Sequence, residues 1–181
     1  QLLSLRELNE EERKMSDMVN FACNKMREMV DKLLELNQVE EGNVTIKNEP
    51  VDIAELINRC VEMNQHLIVK NKTRLAQSID KRISVTTDKS MLFTVLNNLL
   101  SNSLKYNKLC GYVKIDCSTD ESDRVQLVIT DTGVGMKKEQ LEQVFEPFAR
   151  FVDDNDAIEG HGLGMAITQE IVKALGIEMQ I

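Results

Sequence analysis

No apolar run in this 181-residue chain approaches the roughly 20 residues that a bilayer-spanning helix needs. No signal-peptide pattern is present either. Cations are in the minority, with 22 Lys and Arg against 30 Asp and Glu and a formal net charge of −8. That balance argues against nucleic acid as the main partner, because backbone binding depends on clustered cations. A local basic pocket for a small polyphosphate stays compatible with it. The four cysteines (Cys23, Cys60, Cys110 and Cys117) form no C-x-x-C pair and have no histidine at ligand spacing. Zinc is therefore not expected, and reduced thiols in a cytosolic compartment are. The only histidines are His66 and His161. What remains is a chain that is 42% hydrophobic, enough for one substantial core and a smaller appendage. It opens on Gln1 rather than Met, which points to a segment of a longer protein.

The first forty residues stand apart. Leu8, Met15, Ala22, Met29 and Leu36 recur every seven residues, and Leu5, Val19, Met26 and Leu33 fill a second seam broken only by Glu12. This is the stripe of a helix packed in a bundle or coiled coil, so a second helix or a second subunit is expected to cover it. Gly42 is expected to end the helix, with Val44, Thr45 and Ile46 as a short strand. Asp52 suits the cap of a helix over residues 53–71. A strand pair is expected at 75–79 and 83–86, and Asp88 caps a helix over 89–106. "YVKIDCS" and "RVQLVITD" alternate in strand fashion around the turn "TDESD" and form a hairpin with Val125, Leu127 and Ile129 on one face. A short helix at 138–144, an irregular acidic stretch at 145–160 and a helix from "GLGMAITQEIVKALG" complete an α+β sandwich rather than a doubly wound sheet.

Three features bear on chemistry. Asn98 and Asn102, four residues apart, share one helix face, with Lys105 alongside. Two amide oxygens near a cation suit a magnesium ion and the phosphates it bridges, since magnesium takes oxygen ligands and keeps several waters. The plainer alternative is that both amides bond to neighbouring backbone or water. Asp131, in "DTGVGM", follows a strand and precedes two glycines, and its carboxylate can accept from an exocyclic amine such as that of adenine. The alternative there is an ordinary Asp-Gly turn. "GHGLGMAI" leads glycines into an apolar helix, whose exposed amides and dipole favour an anion. Such glycine runs are common without any ligand. The long irregular segment ahead of it suits a lid.

Taken in order, these motifs resemble the GHKL superfamily of ATP-binding domains, and most closely the catalytic domain of sensor histidine kinases. "NNLLSNSLKYN" resembles its N box, "DTGVGM" its G1 box, "FEPF" its F box and "GHGLGM" its G2 box. The resemblance covers roughly residues 45–181 and implies a two-layer α/β sandwich of the Bergerat type behind a long coiled-coil-like helix. The segment ending "LLELNQVEEG" resembles the second helix of the dimerisation and histidine-phosphotransfer hairpin. Residues 1–42 are thus expected to be part of that hairpin and 43–181 the catalytic domain.

The resemblance implies roles position by position. Asn102 matches the magnesium ligand, with Asn98 near the metal and phosphates. Lys105 and Tyr106 approach the phosphates and flank the nucleotide. Asp131 matches the adenine-binding carboxylate, with Gly133, Gly135 and Met136 shaping the base pocket. Phe148 and Arg150 belong to the lid, the arginine reaching the phosphates. Gly160, His161, Gly162, Leu163 and Gly164 form the loop that lets the lid fold over the triphosphate. Hydrolytic relatives carry Glu where Asn98 stands, and an amide cannot take a proton from water. Transfer to a histidine is therefore favoured over hydrolysis, with Asn98, Lys105 and Arg150 around the reacting phosphate.

The implied ligands are ATP and Mg2+, and the implied partners are a response-regulator receiver domain and a second copy in the parent protein. The setting is a cytoplasmic domain, with any membrane anchor of the parent left open. Neither histidine matches the phosphoacceptor. His66 lies in "EMNQHLIVK" as a bystander, and His161 stands where Thr is usual. Ser103 replaces the usual Ala. In the family further strands normally follow "KALGIEMQI", so the expectation is either that this chain is truncated or that the last strands of its sheet differ. Two rival readings remain: a pseudokinase or dimerising scaffold, and a stand-alone ATPase.

Overall fold

The computed structural model describes residues 10–40, 45–80, 83–120, 122–151 and 160–181. Helix α1 spans Glu10–Glu40, as the seven-residue stripe predicts. Gly42 and Val44, and the seam residues Leu5 and Leu8, lie outside the described residues. Strand β1 (Asn48–Asp52) leads directly into α2 (Ile53–Met63), then α3 (Gln65–Asn71), β2 (Arg74–Ile79), β3 (Ser84–Asp88) and α4 (Lys89–Lys105). The hairpin β4 (Tyr112–Thr119) and β5 (Val125–Asp131) follows, then α5 (Lys138–Gln143) and α6 (Gly164–Leu175).

The strand expected at 44–46 forms later, at Asn48–Asp52, because its register is set by β3. Asn48 faces Asp88 and Asp52 faces Ser84 in an antiparallel two-stranded sheet. Pro50 lacks an N–H, which an edge position tolerates. The helix expected over 53–71 breaks at Asn64. Its amide nitrogen donates to the Cys60 carbonyl at 2.8 Å and to Asn97 Oδ1 at 2.8 Å. Asparagine competes with the helical ladder in this way, and here the competing bonds tie the break to α4. The pairing expected between 75–79 and 83–86 does not occur. β2 pairs parallel with β4, Arg74 opposite Tyr112 and Ile79 opposite Cys117, while β3 pairs with β1. Loop closure favours neighbours, but β4 offers β2 a central, buried partner.

The three-stranded sheet β2–β4–β5 turns one face to the helices. Val113, Ile115 and Cys117 alternate inward along β4 and meet Leu56, Ile57 and Cys60 of α2 and Leu92, Leu96, Leu100 and Leu104 of α4. Leu127 and Ile129 join this core from β5, whereas Val125, expected on the same face, is exposed. Burial of these side chains contributes about 1.5–3 kcal/mol each and fixes which face of α4 points away from the sheet. A second cluster joins Met91 and Val95 of α4 to Leu163, Ala166, Ile167, Ile171 and Val172 around α6. Met29, Leu33 and Val39 of α1 pack on it. The stripe on α1 is therefore covered toward its C-terminal end by α6 of the same chain. Met15, Val19 and Met26 remain exposed.

Candidate functional site

Helix α4 is fixed first at its start. Buried Asp88 accepts hydrogen bonds from the backbone N–H groups of Ser90 and Met91, both at 3.0 Å, and from the Ser90 hydroxyl at 2.7 Å. Its other oxygen accepts from the Lys47 N–H at 2.9 Å, which ties β1's approach to the helix. With Leu92, Leu96, Leu100 and Leu104 held in the core, Asn98, Ser101, Asn102 and Lys105 stand half-buried on the rest of the helix.

Asn98 crosses to α6. Its Nδ2 donates to the Gly164 carbonyl at 3.2 Å and to Thr168 Oγ1 at 3.4 Å. A carbonyl can only accept, so the nitrogen is the atom turned to the Gly164 carbonyl, and Oδ1 lies beside the opening of α6, 3.5 Å from where a Gly164 β-carbon would stand. A β-carbon on Gly164 would stand 3.5 Å from the Asn98 amide, in ordinary contact. Helix α6 begins at Gly164 with no side-chain cap, Leu163 preceding it. Uncapped N–H groups and the dipole leave that end suited to an anion. Asn102 lies one turn beyond Asn98, and its carbonyl accepts from the Tyr106 N–H at the helix end.

Tyr106 then connects three parts of the site. Its carbonyl accepts from the Val134 N–H at 3.2 Å. Asp131, at the end of β5, accepts through Oδ1 from the Gly133 N–H at 2.8 Å. A β-carbon on Gly133 would come within 2.6 Å of the Tyr106 oxygen and 2.8 Å of Asp131 Oδ1, so only glycine fits there. Gly160 returns beside the Tyr106 phenol, where a β-carbon would lie 3.9 Å from the hydroxyl. Gly135 has a left-handed backbone (φ +68°) with open space around it, and Met136 beyond it is exposed.

The F-box turn docks on the glycine loop. The Phe148 N–H donates to the Gly162 carbonyl at 3.0 Å, and both residues have positive φ, +67° and +71°. A β-carbon on Gly162 would strike the Phe148 backbone at 2.6 Å. Phe148 itself is exposed, and Arg150 beyond it is also exposed, while His161 is half-buried. Residues 152–159, most of the expected lid, lie outside the described residues. The sequence-predicted residues thus fall into three linked pairs: Asn98 with Gly164, Tyr106 with Gly133, and Phe148 with Gly162. His66 is exposed on α3, as a bystander should be.

Two groups of residues escaped sequence reasoning. Thr168 is fully buried yet polar, and its hydroxyl oxygen accepts from the Asn98 amide. Its four-residue spacing from Gly164, among Ala166, Ile167, Ile171 and Val172 on the apolar side of the helix, was the available signal. Asn107 braces the start of the loop after β5. Its Nδ2 donates to the Tyr112 carbonyl at 3.1 Å, and its Oδ1 accepts from the Thr132 hydroxyl at 3.0 Å. Thr132 in turn accepts from the Tyr112 N–H at 2.9 Å.

Comparisons with known proteins address the family and the fold. The family described as histidine kinase-, DNA gyrase B- and HSP90-like ATPase matches residues 87–181. The signal transduction histidine-protein kinase BaeS of Escherichia coli (strain K12) is 32% identical over 151 residues, covering 82% of this chain and 32% of BaeS. Full-length ShkA, crystallised in complex with AMPPNP, shares the fold with a TM-score of 0.82. It is 23% identical, with 97% of this chain and 36% of ShkA covered. The mycobacterial sensor histidine kinase MprB has a TM-score of 0.61 at 29% identity, covering 72% of this chain and 81% of the MprB chain. The chain spans less than half the length of the curated relatives it matches. On the family match across more than half its length, the chain belongs to the histidine kinase-, DNA gyrase B- and HSP90-like ATPase family.

Proposed function

We propose that this chain is the ATP-binding catalytic part of a sensor histidine kinase. It would present the γ-phosphoryl group to a histidine on a helix upstream of α1, from which it passes to an aspartate of a response-regulator receiver domain. The observation that carries this reading is the juncture of α4 and α6. There, the Asn98 amide side chain faces an uncapped helix N-terminus whose first residue is glycine. Residues 1–42 would belong to the phosphotransfer hairpin and 43–181 to the catalytic domain. The exposed residues Met15, Val19 and Met26 of α1 support a second helix or subunit against that face, as in a homodimeric parent.

The residues present fit a nucleotide and its metal. Asp131 is exposed at a strand end, with one oxygen bonded to Gly133 and further lone pairs able to accept from the adenine amine. Tyr106 would flank the base. Asn102 and Asn98 Oδ1 would hold Mg2+, whose chemistry when bound is to neutralise charge on the triphosphate oxygens. The amides opening α6 and the glycines at 160, 162 and 164 would cradle the phosphates. Lys105 and Arg150 would supply cationic charge as it builds on the transferring group.

In the transfer, the acceptor imidazole nitrogen forms a bond to γ-phosphorus while the bond to the β–γ bridging oxygen breaks and ADP departs. The acceptor brings its own lone pair, so no protein base is required. Hydrolysis would need one, and the Asn98 amide cannot serve as it.

Thermal unfolding with and without Mg-ATP tests the binding. At a hundred times the dissociation constant the ligand should add about 2.7 kcal/mol. Extending the chain upstream should then yield an acid-labile, base-stable phosphoprotein. No shift with Mg-ATP would reject the reading.

A further inference from the structure

We propose that Thr168 is a positioning residue for Asn98, holding the amide so that its oxygen stays turned toward the metal and phosphate side. The inference rests on the reading of the α4–α6 juncture given above. Gly164 and Thr168 lie four residues apart on α6 and so share the face that meets α4. Each supplies an acceptor to Asn98 Nδ2, at 3.2 and 3.4 Å. The amide nitrogen carries two N–H groups, one available for each of these acceptors. With a single acceptor, an amide can swing about its last side-chain bond while keeping one hydrogen bond. With two, rotation loses both, and Oδ1 stays where it lies, beside the opening of α6.

Burial raises the stakes. Thr168 is completely enclosed, at 0% exposure, on a helix face otherwise filled by Ala166, Ile167, Ile171 and Val172. A hydroxyl in that setting is unfavourable unless it is bonded, and here it accepts from the Asn98 amide. Valine would fill the same volume without the polar group. Simple core packing therefore gives no reason for threonine, whereas orienting an amide ligand does. Partners behind a ligand commonly set its orientation, and their loss weakens metal affinity by about 10–100-fold.

The test separates this role from a merely structural one. ATP binding is measured by isothermal titration on the full chain, once with Mg2+ and once with EDTA, for the wild type, Thr168→Val and Thr168→Ser. Thr168→Val is expected to bind metal-free ATP as the wild type does and to lose about tenfold of the gain that Mg2+ confers. Thr168→Ser, which keeps the hydroxyl, should restore most of that gain. Equal loss in both conditions, or an unchanged Mg2+ gain in Thr168→Val, would overturn the proposal. Unfolding midpoints identify any variant that fails to fold, in which case Thr168→Ser against Thr168→Ala supplies the same comparison. A wild type that binds no ATP in either condition would instead reject the underlying functional reading.

Discussion

Gly133 and Gly135 stand two residues apart in one loop, and the structure gives each a different reason for lacking a side chain. A β-carbon at 133 would lie 2.6 Å from the Tyr106 carbonyl oxygen and 2.8 Å from Asp131 Oδ1. The Tyr106 oxygen is a backbone atom and cannot yield without the loop moving, and the Asp131 carboxylate can swing aside only by leaving the Gly133 N–H. That movement would sacrifice the bond from the Gly133 N–H to Asp131 and the bond from the Val134 N–H to Tyr106. At about 1 kcal/mol per hydrogen bond, Gly133→Ala should destabilise by about 2 kcal/mol. At 135 a β-carbon meets nothing within 4 Å, but φ is +68°. Gly135→Ala therefore faces only the left-handed backbone penalty, about 1 kcal/mol. Asparagine tolerates that conformation, so Gly135→Asn should recover most of the loss while Gly133→Asn recovers none. Urea unfolding reads the stabilities, and titration with Mg-ATP reads the site. Gly133→Ala should weaken binding by about tenfold or more, because a displacement of Asp131 worth about 1.4 kcal/mol has that effect. Wild-type stability and affinity in Gly133→Ala, or equal damage from Gly135→Ala and Gly135→Asn, would refute the reasoning.

Burial pushes the Asp88 carboxyl pKa up, but the N–H groups of Lys47, Met91 and Ser90 and the Ser90 hydroxyl outweigh it and hold the pKa below its usual 3.8. The folded state thus prefers the ionised form. Its stabilisation is fully present well above that value and disappears as pH falls through the lower folded one. Asp88→Ala should lose about 2 kcal/mol at pH 7, and the gap to wild type should narrow in acid-unfolding curves taken below about pH 4. Burial raises the Cys60 thiol pKa to about 11 and that of Cys117 above its usual value, while Cys23 and Cys110 are exposed. A thiol reagent at pH 8 should therefore label Cys23 and Cys110 rapidly and the other two only on unfolding. Leu100→Ala empties a fully buried position between α4 and the sheet. Denaturation should register a loss of about 2–5 kcal/mol.

The parts legible in the sequence are those where local pattern and tertiary demand coincide. Asp52 and Asp88 cap the helices they precede, accepting from Glu55 and from Ser90 and Met91. The hairpin around residues 120–124 follows from alternation, and the order of four motifs indicated the family that residues 87–181 match. What eluded the sequence depends on partners far along the chain. The break at Asn64 exists because Asn97, 33 residues away, receives its amide. β2 pairs across α4 with β4 rather than with its neighbour β3, a choice of burial that no local signal encodes. The seam on α1 gave its period but not its cover, because only the fold brings α6 against Met29 and Leu33. Within the site, the amides at 98 and 102 were legible as polar residues out of place on a helix. The use of Asn98 as a link to Gly164 and Thr168, over 66 and 70 residues, was not.

The central claim is that a nucleotide sits between the end of β5 and the start of α6. Its most direct test is isothermal titration of Mg-ATP into the wild-type chain and into Asp131→Asn, with folding verified by circular dichroism. The account predicts saturable one-to-one binding to the wild type and loss of measurable binding in the variant, whose amide presents a donor where the adenine amine needs an acceptor. Equal affinity in the two proteins would contradict it.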